Sequence, residues 1–412
     1  MDQTETKSLL DRLRDPAAWE EFLAYKNEGG HLSKREEADL ARFVSDREYE
    51  AVADRILSGE SLSSPRKSAI AKKGTDKKRI VYIFPREEKW ALKLITYCLR
   101  EYDGIFSQNL YSFRVGQGAK KAVARMLHGR RIEESWTYRT DIHDYFNSVD
   151  IGLLLPMLQE VFAQDPQMYR FFEQMLTADA VVDRGTVHTE KRGIMAGTPT
   201  AVFLANLYLS DMDHFFQEQH IPYARYADDI FLMAGSEEEL TQRIGLVREW
   251  LAKKHLEINP KKDEIRRPGD PKNFLGVTYH KGRIAVSEVA VEKLKNKMRR
   301  KVRALQRWQR RKNLDNAKAV KGFINRFNTY FFRNDEEHEL TWCRWYFPMI
   351  SSDEQLKCID HYMQSCIRYL YCGRHTKAAF NLRYETMREM GYRSLVHAYY
   401  EWKKEEGEKC LK

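Results

Sequence analysis

The chain has 412 residues, with 70 Lys and Arg against 60 Asp and Glu, and so carries a formal charge of +10. That length suits two or three domains or subdomains around a real core, and 32% charged beside 42% hydrophobic residues excludes a disordered tail and a membrane protein. No apolar run approaches the roughly 20 residues that span a bilayer, and the start MDQTETKSLL is unlike a secretory signal. Cys98, Cys343, Cys358, Cys366, Cys372 and Cys410 form no CxxC pair and read as reduced thiols of a cytoplasmic protein.

Residues 1–60 read as helical throughout. Ser33 with Glu36, and Ser45 with Glu48, have capping-box spacing, and Gly29-Gly30 breaks the helices between them. Two strands, Ser68–Lys72 and Lys78–Phe84, flank a Lys73-Gly74-Thr75-Asp76 turn. Helices follow around 86–102 and 118–128, separated by the loop QNLYSFRVGQG. Thr137–Ile142 alternates like a strand, and 151–178 returns to helix. Thr198 is expected to cap a helix with Pro199 at its first position, running to about Gln219. Tyr223–Met233 reads as two short strands joined by an acidic turn. Glu237–His255 is helical, and Asn273–Val286 is a hairpin turning at Lys281-Gly282. Everything beyond about 288 is helical, basic and aromatic-rich, so the expected class is α+β with helical ends.

The surplus charge is concentrated. Between Glu292 and Lys312 lie eleven Lys or Arg and one acid, a window that alone sums to +10. Leu294, Met298, Val302, Leu305 and Trp308 recur through it at helical spacing, which predicts an amphipathic helix with a basic outer face. Without acids to lace it, that face points to a phosphate backbone and holds Arg299, Arg300, Arg303 and Arg307 as candidate nucleic-acid contacts.

Tyr226-Ala227-Asp228-Asp229 is the sharpest local feature. Asp is a poor strand residue, and adjacent carboxylates inside an apolar hairpin repel unless a cation neutralises them. Asp141, at the end of an alternating strand in Thr140-Asp141-Ile142-His143-Asp144-Tyr145-Phe146, is the matching carboxylate. Mg²⁺ takes a few carboxylate oxygens and leaves its other positions to water and phosphates, so Asp141 and Asp228 on neighbouring strands suit two such ions. His143 and His255 have no companions at zinc-ligand spacing.

These two elements resemble the catalytic motifs of reverse transcriptases, and further resemblances follow in the family's order. Lys72-Lys73-Gly74 with Lys78-Arg79 resembles the fingers hairpin that grips the incoming triphosphate. Tyr111-Ser112-Phe113-Arg114 resembles a tyrosine-glycine-phenylalanine-arginine element, with Ser112 in place of glycine. Gly193-Ile-Met-Ala-Gly197-Thr-Pro through Asn206-Leu-Tyr-Leu resembles the motif along the template and nascent pair, Asn259-Pro260-Lys261-Lys262 the loop whose lysine assists pyrophosphate departure, and Asn273-Phe274-Leu275-Gly276 the primer grip. The set covers about 68–286.

The resemblance implies a right-hand polymerase: a helical extension over 1–60, fingers and an antiparallel-sheet palm over 61–286, and a helical basic thumb over 287–412. It implies an RNA-directed DNA polymerase with two Mg²⁺ ions, catalytic Asp141 and Asp228, a supporting Asp229, Ile142 in the metal set, and Lys262 (or its neighbour Lys261) as acid. Lys73, Lys78, Arg79, Phe146 and Gly197 would meet the deoxynucleotide, Arg79 foremost among the basic ones. Arg114, Asn206, Phe274, Leu275 and Gly276 would meet template or primer, unless Arg114 pairs with a core carboxylate instead. A bulky Phe146 would collide with a ribose 2′-hydroxyl and so select deoxynucleotides.

Mobile-intron relatives carry Gln and Ser-Pro where this chain has Ala196, Ala201 and Val202, which weakens that assignment. The segment after Val286 reads as thumb, with no convincing ribonuclease H carboxylate set expected within it. The helical start, the altered middle motifs and Phe323-Ile-Asn-Arg-Phe, Trp342-Cys-Arg-Trp and Gly391-Tyr-Arg-Ser make the chain most similar to the compact defence-associated reverse transcriptases of bacteria. That branch implies copying of a structured noncoding RNA into DNA in anti-phage immunity. The alternatives are a retron-type enzyme making a branched RNA–DNA product, protein-primed template-independent DNA synthesis, and a non-catalytic RNA-binding protein. The sequence leaves the oligomeric state open.

Overall fold

A computed structural model describes residues 8–28, 32–71, 78–128, 130–191, 193–312, 315–332, 341–373 and 381–410. The chain divides into two compact units, Met1–Pro268 and Gly269–Lys412. The first mixes helices with two four-stranded sheets; the second carries a three-stranded sheet and helices.

In the first unit the helices Pro16–Glu28, Lys34–Ser45 and Tyr49–Leu57 bury Trp19, Phe22, Leu40, Phe43 and Tyr49. The Ser33 cap forms as expected, its Oγ accepting the Glu36 N–H at 3.2 Å. Ser45 does not cap: it ends its helix, and its hydroxyl donates back to the Arg42 carbonyl at 3.1 Å. Gly29-Gly30 and the turn 73–76 lie outside the described residues. The helix expected over 151–178 is two, Ile151–Val161 and Pro166–Thr177. Pro166 has no N–H to give, and Asp165 before it accepts the Met168 N–H at 3.1 Å. The helix expected from Pro199 begins at Ala201, the Thr198 hydroxyl turning back to the Met195 carbonyl at 3.0 Å, and it divides at Leu209.

The strands of this unit are β1 (Arg66–Ala71), β2 (Lys78–Ile83), β3 (Trp136–Asp141), β4 (Ala180–Asp183), β5 (Thr186–Thr189), β6 (Tyr223–Tyr226), β7 (Asp229–Ala234) and β8 (Glu264–Arg266). One sheet runs β2-β1-β4-β5. The other runs β6-β7-β3-β8, antiparallel throughout. The β4–β5 hairpin escaped the sequence reading, although Arg184-Gly185, both at positive φ (52° and 86°), is sound hairpin-turn chemistry. β8 is three residues long and has no periodicity of its own to detect. Helix Glu237–Lys253 packs on β3 and β7 and buries Leu240, Ile244, Val247 and Leu251.

In the second unit β9 (Lys272–Phe274), β10 (Val277–His280) and β11 (Arg283–Val286) form an antiparallel sheet that turns at Lys281-Gly282, as expected. The basic window lies on one helix, Glu288–Lys312, which buries Val291, Leu294, Met298, Val302 and Leu305. Trp308, expected on that apolar stripe, is exposed instead. Among the described residues no helix is long and apolar enough to cross a membrane.

Candidate active site

Strand register creates the site. β3 and β7 pair so that Asp141 and Asp229 are direct partners, and the Ile142 N–H donates to the Asp228 carbonyl at 3.0 Å. The end of one strand and the turn of the neighbouring hairpin therefore meet. Tyr226 and Asp229 are partners in β6 and β7, which leaves Ala227 and Asp228 as the tight turn, with Ala227 in the left-handed region at φ 55°. Three acidic residues therefore share this corner of the backbone.

Their environments differ. The Asp228 carboxyl is pushed up to about 7, first by burial, then by the negative charges of Asp141 and Asp229 and a shared hydrogen bond with Asp141. Asp229 is drawn aside by Arg139, whose Nη2 donates to Oδ1 at 3.1 Å. Asp141 is buried and held by one loop: Lys262 Nζ lies 2.5 Å from Oδ1, and Asn259 Nδ2 lies 3.2 Å from Oδ2. The Asn259 N–H also donates to the Asp141 carbonyl at 2.8 Å.

The donor set fits a hard divalent cation in the frugal manner of Mg²⁺. Asp141 and Asp228 present adjacent carboxylates whose repulsion a cation relieves, and Mg²⁺ asks for one or two carboxylates. Among the described residues no group of three or more Asp, Glu, His or Cys side chains is gathered for a metal, in keeping with Asp229 being engaged by Arg139. Ile142 is buried beside the pair.

A buried polar lattice supports the acidic turn. Arg225, on β6 just before it, is fully buried and forms an ion pair with equally buried Asp213, Nη2 to Oδ2 2.5 Å. It also donates to the Ala227 carbonyl at 3.2 Å and the Asn206 carbonyl at 3.1 Å. Asn206 Nδ2 donates to the Ser112 carbonyl at 2.9 Å, and Ser112 Oγ accepts the Ala227 N–H at 2.8 Å. Asn206, expected at template or primer, is thus buried beneath the turn. Arg114 is committed locally, its Nε and Nη2 each 3.1 Å from the Asp103 carboxylate.

Phe146 follows Asp141 through a left-handed Asp144 (φ 43°), and its partly buried ring lies edge-on to Tyr145. Its carbonyl accepts the Ile194 N–H at 3.0 Å. Gly193 is required there: a Cβ would stand 2.4 Å from the Phe146 carbonyl oxygen. The same loop reaches β2, where the Tyr82 N–H donates to the Ala196 carbonyl at 2.9 Å and Gly197 lies against Val81. Lys78 and Arg79 are exposed on β2; Lys73 lies outside the described residues.

In the second unit, β9 ends at Phe274, and Leu275 and Gly276 link it to β10. Phe274 is buried, and a Cβ on Gly276 would meet the Tyr346 hydroxyl at 2.7 Å. Arg300, Arg303 and Arg307 are exposed on the basic helix, while Arg299 donates to the Tyr362 hydroxyl at 2.9 Å.

Arg139, Asp213 and Arg225 were missed from sequence, and Asn259, read only as the start of the lysine loop, was not expected on Asp141. An arginine within the apolar run Tyr-Ala-Arg-Tyr was the available signal, since a buried guanidinium requires a carboxylate. Nothing in the sequence singles out Asp213 as its partner.

Residues 70–279 match a family described as reverse transcriptase (RNA-dependent DNA polymerase). Comparison with the curated proteins finds no match. Among solved structures, apo telomerase from Candida tropicalis, truncated from its C-terminal domain, is similar at a TM-score of 0.44 and 12% identity over 55% of each chain. Telomerase from Candida albicans in complex with a fragment of telomeric RNA is similar at a TM-score of 0.43 and 12% identity, over 85% of this chain and 68% of that one. The chain thus spans about half the length of the first of these and two thirds of the second.

Proposed function

The chain belongs to the reverse transcriptase family, RNA-directed DNA polymerases, and on that premise we propose that it extends a 3′-hydroxyl with deoxynucleotides by two-metal catalysis at Asp141 and Asp228. The observation that carries this is the β3–β7 register, which brings Asp141 to the acidic turn. Two Mg²⁺ ions held there would supply charge neutralisation at the attacking and leaving oxygens. Asp229, engaged by Arg139, keeps the turn in place. Lys262 is near enough to the reacting region to give a proton to departing pyrophosphate. Phe146 excludes a 2′-hydroxyl, and Lys78 and Arg79 with Lys73 steady the triphosphate.

In this reading β6-β7-β3-β8 is the palm, the β1–β2 sheet belongs to the fingers, and the second unit contributes primer grip and thumb. The exposed Arg300, Arg303 and Arg307 suit phosphate contacts without sequence readout. The motif resemblance to defence-associated bacterial enzymes supports a cytoplasmic anti-phage role with a structured noncoding RNA as template.

Sequencing the RNA and DNA that copurify with the wild type and with Asp228→Asn tests the whole proposal. Strand-specific complementary DNA lost in the variant is the expected result. Homopolymer without template origin, or DNA unchanged in Asp228→Asn, would overturn it.

A further inference from the structure

One bulky residue beside the acidic turn is held in a conformation that its own side chain disfavours. Phe113 has φ 56°, in the left-handed region where a Cβ crowds the backbone, and its ring is 56% exposed. Strained backbone and an apolar ring in water both work against folding, and an exposed ring recovers little of that through packing. Such a residue persists when its neighbours over-determine it.

Both neighbours do so. Ser112 is buried, its Oγ accepting the Ala227 N–H at 2.8 Å and donating to Asn206 Oδ1 at 3.2 Å. Arg114 clamps the Asp103 carboxylate with two donors at 3.1 Å each, and donates to the Ser107 carbonyl at 2.5 Å and the Leu110 carbonyl at 3.3 Å. The polar groups flanking Phe113 are spent within the protein. What the loop presents outward is the aromatic ring, one residue from the serine that holds the catalytic turn.

We propose that Phe113 is a nucleic-acid contact whose ring stacks on a nucleobase of the template–primer bound at that turn. The proposal rests on the polymerase reading of Asp141 and Asp228. A stacked aromatic suits an enzyme that must accept every base, since each base offers a π-face. Ser112 and Arg114 act as positioning residues that keep the ring displayed.

The test measures equilibrium binding of an RNA template–DNA primer by fluorescence anisotropy, without dNTPs and in chelator, alongside the thermal midpoint. Phe113→Gly should weaken binding about tenfold or more, while Tm stays level or rises because glycine relieves the left-handed strain. Phe113→Trp should bind as the wild type does. Undiminished binding by Phe113→Gly overturns the proposal. So does a lowered Tm in Phe113→Gly, which would make the ring a packing residue, or a Phe113→Trp variant as weak as the glycine one. Because no chemistry is involved, these outcomes are separate from failure of the polymerase reading, which Asp228→Asn reports through primer extension.

Discussion

The Lys262 ammonium stands 2.5 Å from Oδ1 of Asp141. Asn259, on the same loop, holds the other oxygen at 3.2 Å. Both oxygens of the carboxylate proposed to bind metal thus carry a protein donor, and a divalent cation competes with the lysine for Oδ1. Lys262→Ala should therefore bind Mn²⁺ more tightly in the free protein while adding nucleotides more slowly. The lysine is half-exposed, so the gain should be about fivefold, equivalent to roughly 1 kcal/mol. Electron paramagnetic resonance titration of free Mn²⁺ reads the affinity directly, and an unchanged value would remove the competition.

The Arg225–Asp213 pair sits at zero exposure on both sides. Removing one partner strands a buried charge, so Arg225→Met should lower stability by about 3–5 kcal/mol in denaturant unfolding. Pairing it with Asp213→Leu should restore much of that loss. Activity should stay low in the double variant, because Arg225 also donates to the carbonyls of Ala227 and Asn206. Full activity there would reduce the pair to a packing role.

The sequence made the chemistry legible where it is local. Asp141 ending an alternating strand, and Asp228 in a two-residue turn, are patterns a few residues wide, and the turn at Lys281-Gly282 was equally plain. Less legible were features decided by distant partners. Asn206 reads as a contact for nucleic acid, yet its amide is satisfied by Ser112, far away in the chain. Arg114 reads equally as a nucleic-acid contact or an ion-pair partner, and the Asp103 carboxylate beside it decides for the ion pair. Trp308 fits the helical period but falls beyond the packed stretch of its helix, which ends its buried stripe at Leu305. Periodicity gives a face; only tertiary packing says how far that face is covered.

Phe146 depends on Gly193 for its placement. The Ile194 N–H holds the Phe146 carbonyl, and a Cβ on Gly193 would stand 2.4 Å from that oxygen. Phe146→Ala should increase ribonucleotide incorporation in single-nucleotide extension, and no increase would count against the steric gate. Gly193→Ala should damage folding and nucleotide addition together, since its φ of 52° and a backbone clash act at once. Gly116→Ala is the control: its φ of 65° carries similar strain, but nothing lies within 4 Å of a Cβ there, so it should cost only about 1 kcal/mol.

Lys93 offers a test by pH. It is largely buried, its ammonium 4.0 Å from the Trp90 ring centroid and 3.7 Å from Glu36, and its pKa is lowered to about 8. Burial is the main cause, and Lys89 and Lys26 add repulsion that Glu36 only partly offsets. Below pH 8 the folded chain carries the full cost of this charge. Between pH 8 and the ordinary lysine value of 10.5 the unfolded chain binds more protons than the folded one, so stability from this group rises with pH. Lys93→Met should therefore be more stable than the wild type at pH 7, by about 1–3 kcal/mol. The advantage should shrink steadily from pH 8 to pH 10 as the wild-type lysine loses its proton. Urea unfolding of both proteins across that range measures the difference, in which titration of the tyrosines cancels. A difference independent of pH would mean that Lys93 keeps its charge in the folded state throughout.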